Sequence, residues 1–164
     1  MQLQSALKDL WFFSSLDVDE LEKLSRICEW KTFIKNEKIF DQNDTGDSLF
    51  ILVEGRVVIE RRLRGYKPAI PKQLVTVKKG QPFGEMAFIE NRERSATARA
   101  KGHVKVICIY ANKFFNLIEK EPVLGLKMMT LLARVLGRRL RRTNDQWLST
   151  MTQASWLLHM EYQE

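Results

Sequence analysis

Between Trp30 and about Ile109 the chain is written in short β-like runs separated by turn residues, and this punctuation limits the fold more than any other feature. Thr32-Phe33-Ile34 and Lys38-Ile39-Phe40 are extended runs split by Asn36-Glu37, and Asn43-Asp44-Thr45-Gly46-Asp47 is a dense turn cluster. Ser48 to Val53 reads as a strand, Glu54-Gly55 as a tight turn and Arg56 to Arg62 as a second strand, so this pair is expected to form a hairpin. Arg64 to Lys72, with Gly65, Pro68 and Pro71, reads as a loop, followed by Leu74, Val75 and Val77. Ser95 to Ala100 and Val104 to Tyr110 are further strands. Many short strands at even spacing predict a small double-sheet jelly roll, with Phe33, Phe40, Phe50, Leu52, Val57 and Ile59 filling its core.

One stretch in this region carries chemistry. After the turn signal Lys79-Gly80-Gln81-Pro82 come Phe83, Gly84, Glu85, Met86 and Ala87, and Glu85 to Ile89 is long enough for about one helical turn. Such a turn directs unpaired backbone N–H groups outward, a local positive end that suits an anion. Gly84 and Ala87 leave room for a ligand to approach the backbone. Arg94 offers a planar fork of donors that matches two phosphate oxygens, Ser95 adds a hydroxyl, and Ala96 and Ala98 are small. Glu85 would repel a phosphate, so its carboxylate is expected to accept hydrogen bonds from something else, such as a ribose hydroxyl. A phosphate, a ribose hydroxyl and a short loop together describe a compact nucleotide.

Phe83-Gly84-Glu85-Met86-Ala87 followed by Arg94-Ser95-Ala96 resembles the phosphate-binding cassette of cyclic nucleotide-binding domains, and Glu93-Arg94-Ser95-Ala96 resembles the catabolite activator protein family in particular. The resemblance covers about residues 10 to 150. It implies that Glu85 holds the ribose 2′-hydroxyl and that Arg94 and Ser95 hold the cyclic phosphate. It also places Thr143 and Asn144, beyond the basic turn Arg138-Arg139-Leu140, at the purine. Cyclic AMP is the expected ligand, with cyclic GMP as the alternative. Two departures are visible. Asn36 stands where many members have glycine, which asparagine's tolerance of the left-handed region makes mild, and Glu93 stands where proline often precedes the arginine.

Helices are expected on both sides of the strands. Leu3, Leu7 and Leu10 recur at helix spacing before Trp11-Phe12-Phe13-Ser14-Ser15 breaks the pattern. Asp17 with Glu20 reads as a capping pair opening a helix that carries Leu21, Leu24 and Ile27 on one face. Asn112 can cap a helix with Phe114, Phe115, Leu117 and Ile118, and Glu121-Pro122 marks the start of the next. That last helix, from about Val123 towards Met160, carries Ala133, Leu136, Leu140, Thr143, Trp147, Thr150, Ala154 and Leu157 in the 3–4 alternation of a coiled-coil seam, which predicts a homodimer. Pro122, Gly125 and Gly137 are candidate hinges. The reading is thus an α+β chain: N-terminal helices and jelly roll over 1–121, and a long dimerisation helix over 122–164 that belongs to the same domain.

The bulk properties set limits on function. At 164 residues and 45% hydrophobic, the chain is one ordinary domain with a real core. Its net charge of +7 favours anionic partners. Cys28 and Cys108 lack a metal-type spacing and read as reduced core residues. No signal pattern or spanning run of about 20 apolar residues is present, so the expectation is a soluble cytoplasmic protein that does not contact membrane. Only His103 and His159 are available as histidine ligands, and no nucleophile accompanies Glu85, so an enzyme is not expected. Only Glu161-Tyr162-Gln163-Glu164 follow the long helix, leaving no room for a helix-turn-helix, so direct DNA binding is not expected and the fragment of a DNA-binding regulator is a secondary reading. The apolar tail Trp156-Leu157-Leu158-His159-Met160 could dock on an effector domain or protein.

Overall fold

The computed structural model describes residues 2–62 and 71–161. Helix α1 (Leu3–Lys8) and a 3₁₀ turn (Trp11–Phe13) lead into α2 (Val18–Ser25). Strands β1 (Cys28–Phe33), β2 (Lys38–Phe40), β3 (Ser48–Glu54), β4 (Val57–Arg62), β5 (Pro71–Val77) and β6 (Pro82–Phe83) follow. The short helix α3 (Glu85–Glu90) precedes β7 (Thr97–Ala100) and β8 (Val104–Tyr110), and α4 (Ala111–Lys120) and α5 (Pro122–Glu161) close the order. The chain divides into two compact units, Met1–Met128 and Met129–Glu164, so α5 gives Pro122–Met128 to the first and the remainder to the second.

The strands form two antiparallel four-stranded sheets, ordered β1-β8-β3-β6 and β2-β7-β4-β5. This is the predicted α+β double-sheet jelly roll. Between the sheets, Phe50, Leu52, Val57, Val77, Phe83, Ala98, Ala100, Val104, Val106 and Cys108 form the core, flanked by Phe33, Ile39, Phe40, Ile59 and Tyr110. Of the six core residues expected from the pattern, Phe50, Leu52 and Val57 are in this cluster and Phe33, Phe40 and Ile59 pack against it. The period-two alternation of β3 and β8 puts Leu49, Ile51, Ile107 and Ile109 on the other face of the first sheet, where they are also buried. Helices α1, α3 and α4 pack on strands of that sheet. A strand buried on both faces reads as a continuous apolar run, which Ser48 to Val53 is.

The expected β3–β4 hairpin does not form. β3 pairs with β8 and β6 in one sheet, and β4 pairs with β5 and β7 in the other. A register shift between Leu52 and Glu54 marks a bulge, and bulges bend and overtwist a strand; here the chain crosses to the opposite layer instead of turning back on itself. The direct antiparallel partner of β4 is β5, which begins at Pro71, inside the segment read as loop. The rest of that loop, from Arg64 to Ile70, lies outside the described residues.

At the N-terminus the Asp17–Glu20 capping box is complete: the Asp17 side chain accepts from Glu20 N and the Glu20 side chain from Asp17 N, each at 2.9 Å. Glu20 also accepts from Lys127 Nζ at 2.6 Å, which ties α2 to the first turns of α5. Three boundaries differ from expectation. Leu10 and Ile27 fall outside their helices, which end at Lys8 and Ser25. α4 starts one residue before Asn112, with Tyr110 at its N-cap and no side-chain cap. Asn36 does adopt the left-handed region, at φ 69°. Cys28 and Cys108 are buried free thiols, and burial pushes the Cys28 thiol up to about 12.

No described helix is long and apolar enough to cross a membrane. In the second unit the predicted seam members Leu140, Thr143, Trp147 and Thr150 are exposed, Leu140 at 62% and Trp147 at 60%. The last members of the seam, Ala154 and Leu157, and the Trp156–Met160 tail lie outside the described side chains.

Candidate functional site

The site is built where β6 stops. Gly84 follows Phe83 with φ 76° and ψ 9°, a left-handed conformation that glycine adopts without a Cβ penalty, and it serves as the N-cap of α3. A Cβ on Gly84 would lie 2.7 Å from Arg94 Nη1, so the residue also makes room for the guanidinium. Asn91 ends the helix in the left-handed region at φ 50°, and the chain returns through a bend at Ser95 and Ala96. Those two residues were expected to open a strand, but β7 starts only at Thr97. The bend has a local cause in the preceding residues: the backbone of Arg94 is engaged elsewhere.

That engagement is with the turn cluster 43–47. Asn43 N donates to Arg94 O at 2.9 Å, and Arg94 N donates to Asp44 O at 2.8 Å. Thr45 and Glu93 form an isolated antiparallel bridge. Gly46 permits this approach, because a Cβ there would sit 2.2 Å from Ala87 Cβ and 2.4 Å from Arg92 O. The turn cluster is therefore the clamp that fixes both α3 and the Arg94 backbone.

The side chain of Arg94 turns inward and is 3% exposed. Nη1 donates to Gly84 O at 2.9 Å, and Nη2 donates to Ser48 Oγ at 2.9 Å. Both acceptors are uncharged. The guanidinium lies over the Phe40 ring at 4.4 Å and near the Phe50 ring at 5.7 Å, contacts that favour a cation over the aromatic face. Asp47 Oδ1 is 4.0 Å from Nη2, too long for a hydrogen bond, and the Asp47 side chain is 65% exposed. Nε has no hydrogen-bond partner among the described residues. Burial accordingly lowers the pKa of Arg94 below its ordinary value, with Asp47 opposing that shift. A buried cation with neutral hydrogen-bond partners and a spare donor can hold an anion, since leaving such a group unpaired is costly.

The other expected site residues are distributed around this cradle. Phe83 is a core residue, stacked on Phe50 at 5.4 Å. Glu85 and Ala87 on α3 are buried, while Met86 between them is 47% exposed. Ser95 is exposed and Ala96 buried. Thr143 and Asn144 are in the second unit and exposed, with the Thr143 hydroxyl donating to Arg139 O at 3.0 Å. Sequence reasoning missed Phe40, Gly46 and Ser48 as parts of the site. Phe40 was read only as core and Gly46 only as turn, and nothing in local spacing joins Ser48 to Arg94. Among the described residues no group of His, Cys, Asp and Glu could hold a metal ion.

The chain is similar to several known proteins. The chain is 27% identical over 124 residues to the cyclic AMP receptor protein of Thermus thermophilus, covering 76% of this chain and 56% of that one. It is 30% identical over 125 residues to the cAMP-dependent protein kinase regulatory subunit of Mycosarcoma maydis, covering 73% of this chain and 23% of that one. It therefore spans about half or less of the length of these two relatives. A solved putative cyclic nucleotide-binding protein from Geobacter metallireducens superposes with a TM-score of 0.72 at 27% identity, over 85% of this chain and 99% of that one. Residues 30–121, which hold both sheets, the turn clamp and Arg94, match the cyclic nucleotide-binding domain, and the chain belongs to that family.

Proposed function

We propose that the chain is a cyclic nucleotide sensor that binds cyclic AMP in the cradle of α3 and Arg94 and relays occupancy through α5. The observation that carries this reading is the Arg94 guanidinium: 3% exposed, held by neutral oxygens, and with Nε unpartnered among the described residues. A cyclic phosphodiester supplies the missing anion. The exposed hydroxyl of Ser95 serves the same phosphate, the Glu85 carboxylate accepts from the ribose 2′-hydroxyl, and Thr143 and Asn144 are assigned to the adenine edge, where hydroxyl and amide can donate and accept.

The relay follows from differential affinity: a ligand that favours one arrangement of α5 shifts a pre-existing equilibrium. The exposed Leu140, Trp147 and Met151 support a homodimer through α5. The chain acts as a regulatory module on an effector domain or protein, and it binds without turnover. Relatives include proteins named for cyclic AMP and one named for cyclic GMP, so the choice of cyclic AMP rests on the assignment of Thr143 and Asn144 to the adenine edge.

Calorimetric titration with cyclic AMP, cyclic GMP and a cyclic dinucleotide tests the reading. The expected result is tightest binding of cyclic AMP, with the ligand recovered intact rather than as AMP. No binding of any of the three would overturn it. Hydrogen exchange tests the relay: protection from Val123 to Trp147 is expected to change with ligand, and unchanged protection would remove the switch while leaving the binding.

A further inference from the structure

Ser48 is the first residue of β3, 4% exposed, and belongs to no turn or cassette motif. Its hydroxyl has three neighbours, Asp47, Arg94 and the Cys108 thiol. It donates to Asp47 Oδ1 at 3.0 Å, and it accepts from Arg94 Nη2 at 2.9 Å. A hydroxyl has one proton, so donating it to Asp47 leaves only lone pairs to face the guanidinium. A guanidinium has no acceptor, so the hydroxyl meets it as an acceptor in any case; Asp47 orients that hydroxyl while its own charge stays 4.0 Å from Nη2 on a side chain that is 65% exposed, where water weakens the pairing. Burial pushes the neighbouring Cys108 thiol up, with Lys31 and the hydrogen bond to Ser48 opposing the shift.

We infer that Ser48 is a positioning residue for Arg94, fixing the guanidinium with a neutral acceptor so that its charge remains available to an anionic ligand. The inference rests on the anion site proposed above. Two physical requirements are met at once. The fork is held in one orientation before the ligand arrives, which lowers the ordering cost of binding. The ligand has no carboxylate at position 48 to displace, as it would if an acid stood there.

The test is a calorimetric titration of cyclic AMP into the wild type, Ser48→Ala, Ser48→Thr, Ser48→Asp and Asp47→Asn, with circular dichroism and thermal unfolding recorded for each. Ser48→Ala is expected to weaken binding about 10- to 100-fold, the range for one hydrogen bond to a charged group. Ser48→Thr, which keeps the hydroxyl, is expected to stay within about threefold of the wild type. Ser48→Asp is expected to lose at least about 100-fold, because its carboxylate occupies the guanidinium. Asp47→Asn keeps an oxygen for the hydroxyl but removes the outer negative charge, so it is expected to bind a few-fold tighter. A purely structural Ser48 would leave the affinity of a folded Ser48→Ala at the wild-type value and lower only its thermal stability. That result, or a Ser48→Thr that binds as weakly as Ser48→Ala, overturns this inference alone. A wild type that binds no cyclic nucleotide overturns it together with the proposed function.

Discussion

Asp41 and Arg94 are both charged, and both sit where loops meet the second sheet, yet they are treated in opposite ways. The Asp41 carboxylate accepts from Thr97 Oγ1, Lys38 Nζ, Arg62 Nη2 and Gln42 N, so it faces two cations and two neutral donors. Lys38 first, then Thr97 and Arg62, hold its carboxyl well below the usual range. Arg94 is more deeply buried and bonds to two neutral oxygens, with Nε unpartnered among the described residues. A charge saturated by its own chain is a fastener. A buried charge whose bonded partners are neutral can take up a countercharge from outside, which is what the proposed function requires of Arg94. The difference distinguishes a structural ion cluster from the proposed binding site without appeal to sequence motifs.

This contrast is open to a double dissociation. Arg94→Ala is expected to cost roughly 3–5 kcal/mol of binding, about two to three decades in affinity for cyclic AMP, while circular dichroism reports a folded protein. If calorimetry gave unchanged affinity in that variant, the distinction would collapse. Asp41→Asn is expected to do the reverse, lowering stability by about 1–2 kcal/mol and leaving affinity within about threefold. Its pH dependence has a definite sign. The folded-state pKa of Asp41 is depressed, so the stabilisation is fully present above the unfolded value of about 4 and is lost as pH falls through the folded value. The stability gap between wild type and Asp41→Asn should therefore be full at pH 6 and close in acid. A gap that widened in acid would contradict the assignment.

The smallest effect concerns Glu20, which is 8% exposed and combines both behaviours, capping α2 and pairing with Lys127. Lys127→Met leaves a mostly buried carboxylate with its capping bond but without this cation. The expected cost is about 1 kcal/mol in chemical denaturation. No loss would place Glu20 among the groups satisfied by capping alone.

What the sequence made legible was whatever depends on short spacing. Asp17 and Glu20 are three residues apart, so their capping box can be read directly. Gly84 followed by a helical turn, with Arg94 beyond it, could likewise be read as one loop. Turn residues revealed that the chain changes direction after Glu54 but not which sheet it enters, because that choice depends on the Leu52/Glu54 bulge and on pairing with strands far along the chain. The cradle was hidden for the same reason. Ser48 meets Arg94 across 46 positions, and Phe40 lies beneath the guanidinium through the stacking of two sheets. The seam of α5 is legible from periodicity, and at Leu140 and Trp147 it is exposed.

The central claim is that Arg94 waits for an anion, and its Nε–H proton reports on this directly. In spectra of protein labelled with ¹⁵N at arginine, saturation with cyclic AMP is predicted to move the Arg94 Nε–H resonance downfield and slow its exchange with water as the donor gains a phosphate acceptor. A resonance that stays in place at saturating cyclic AMP would contradict the account.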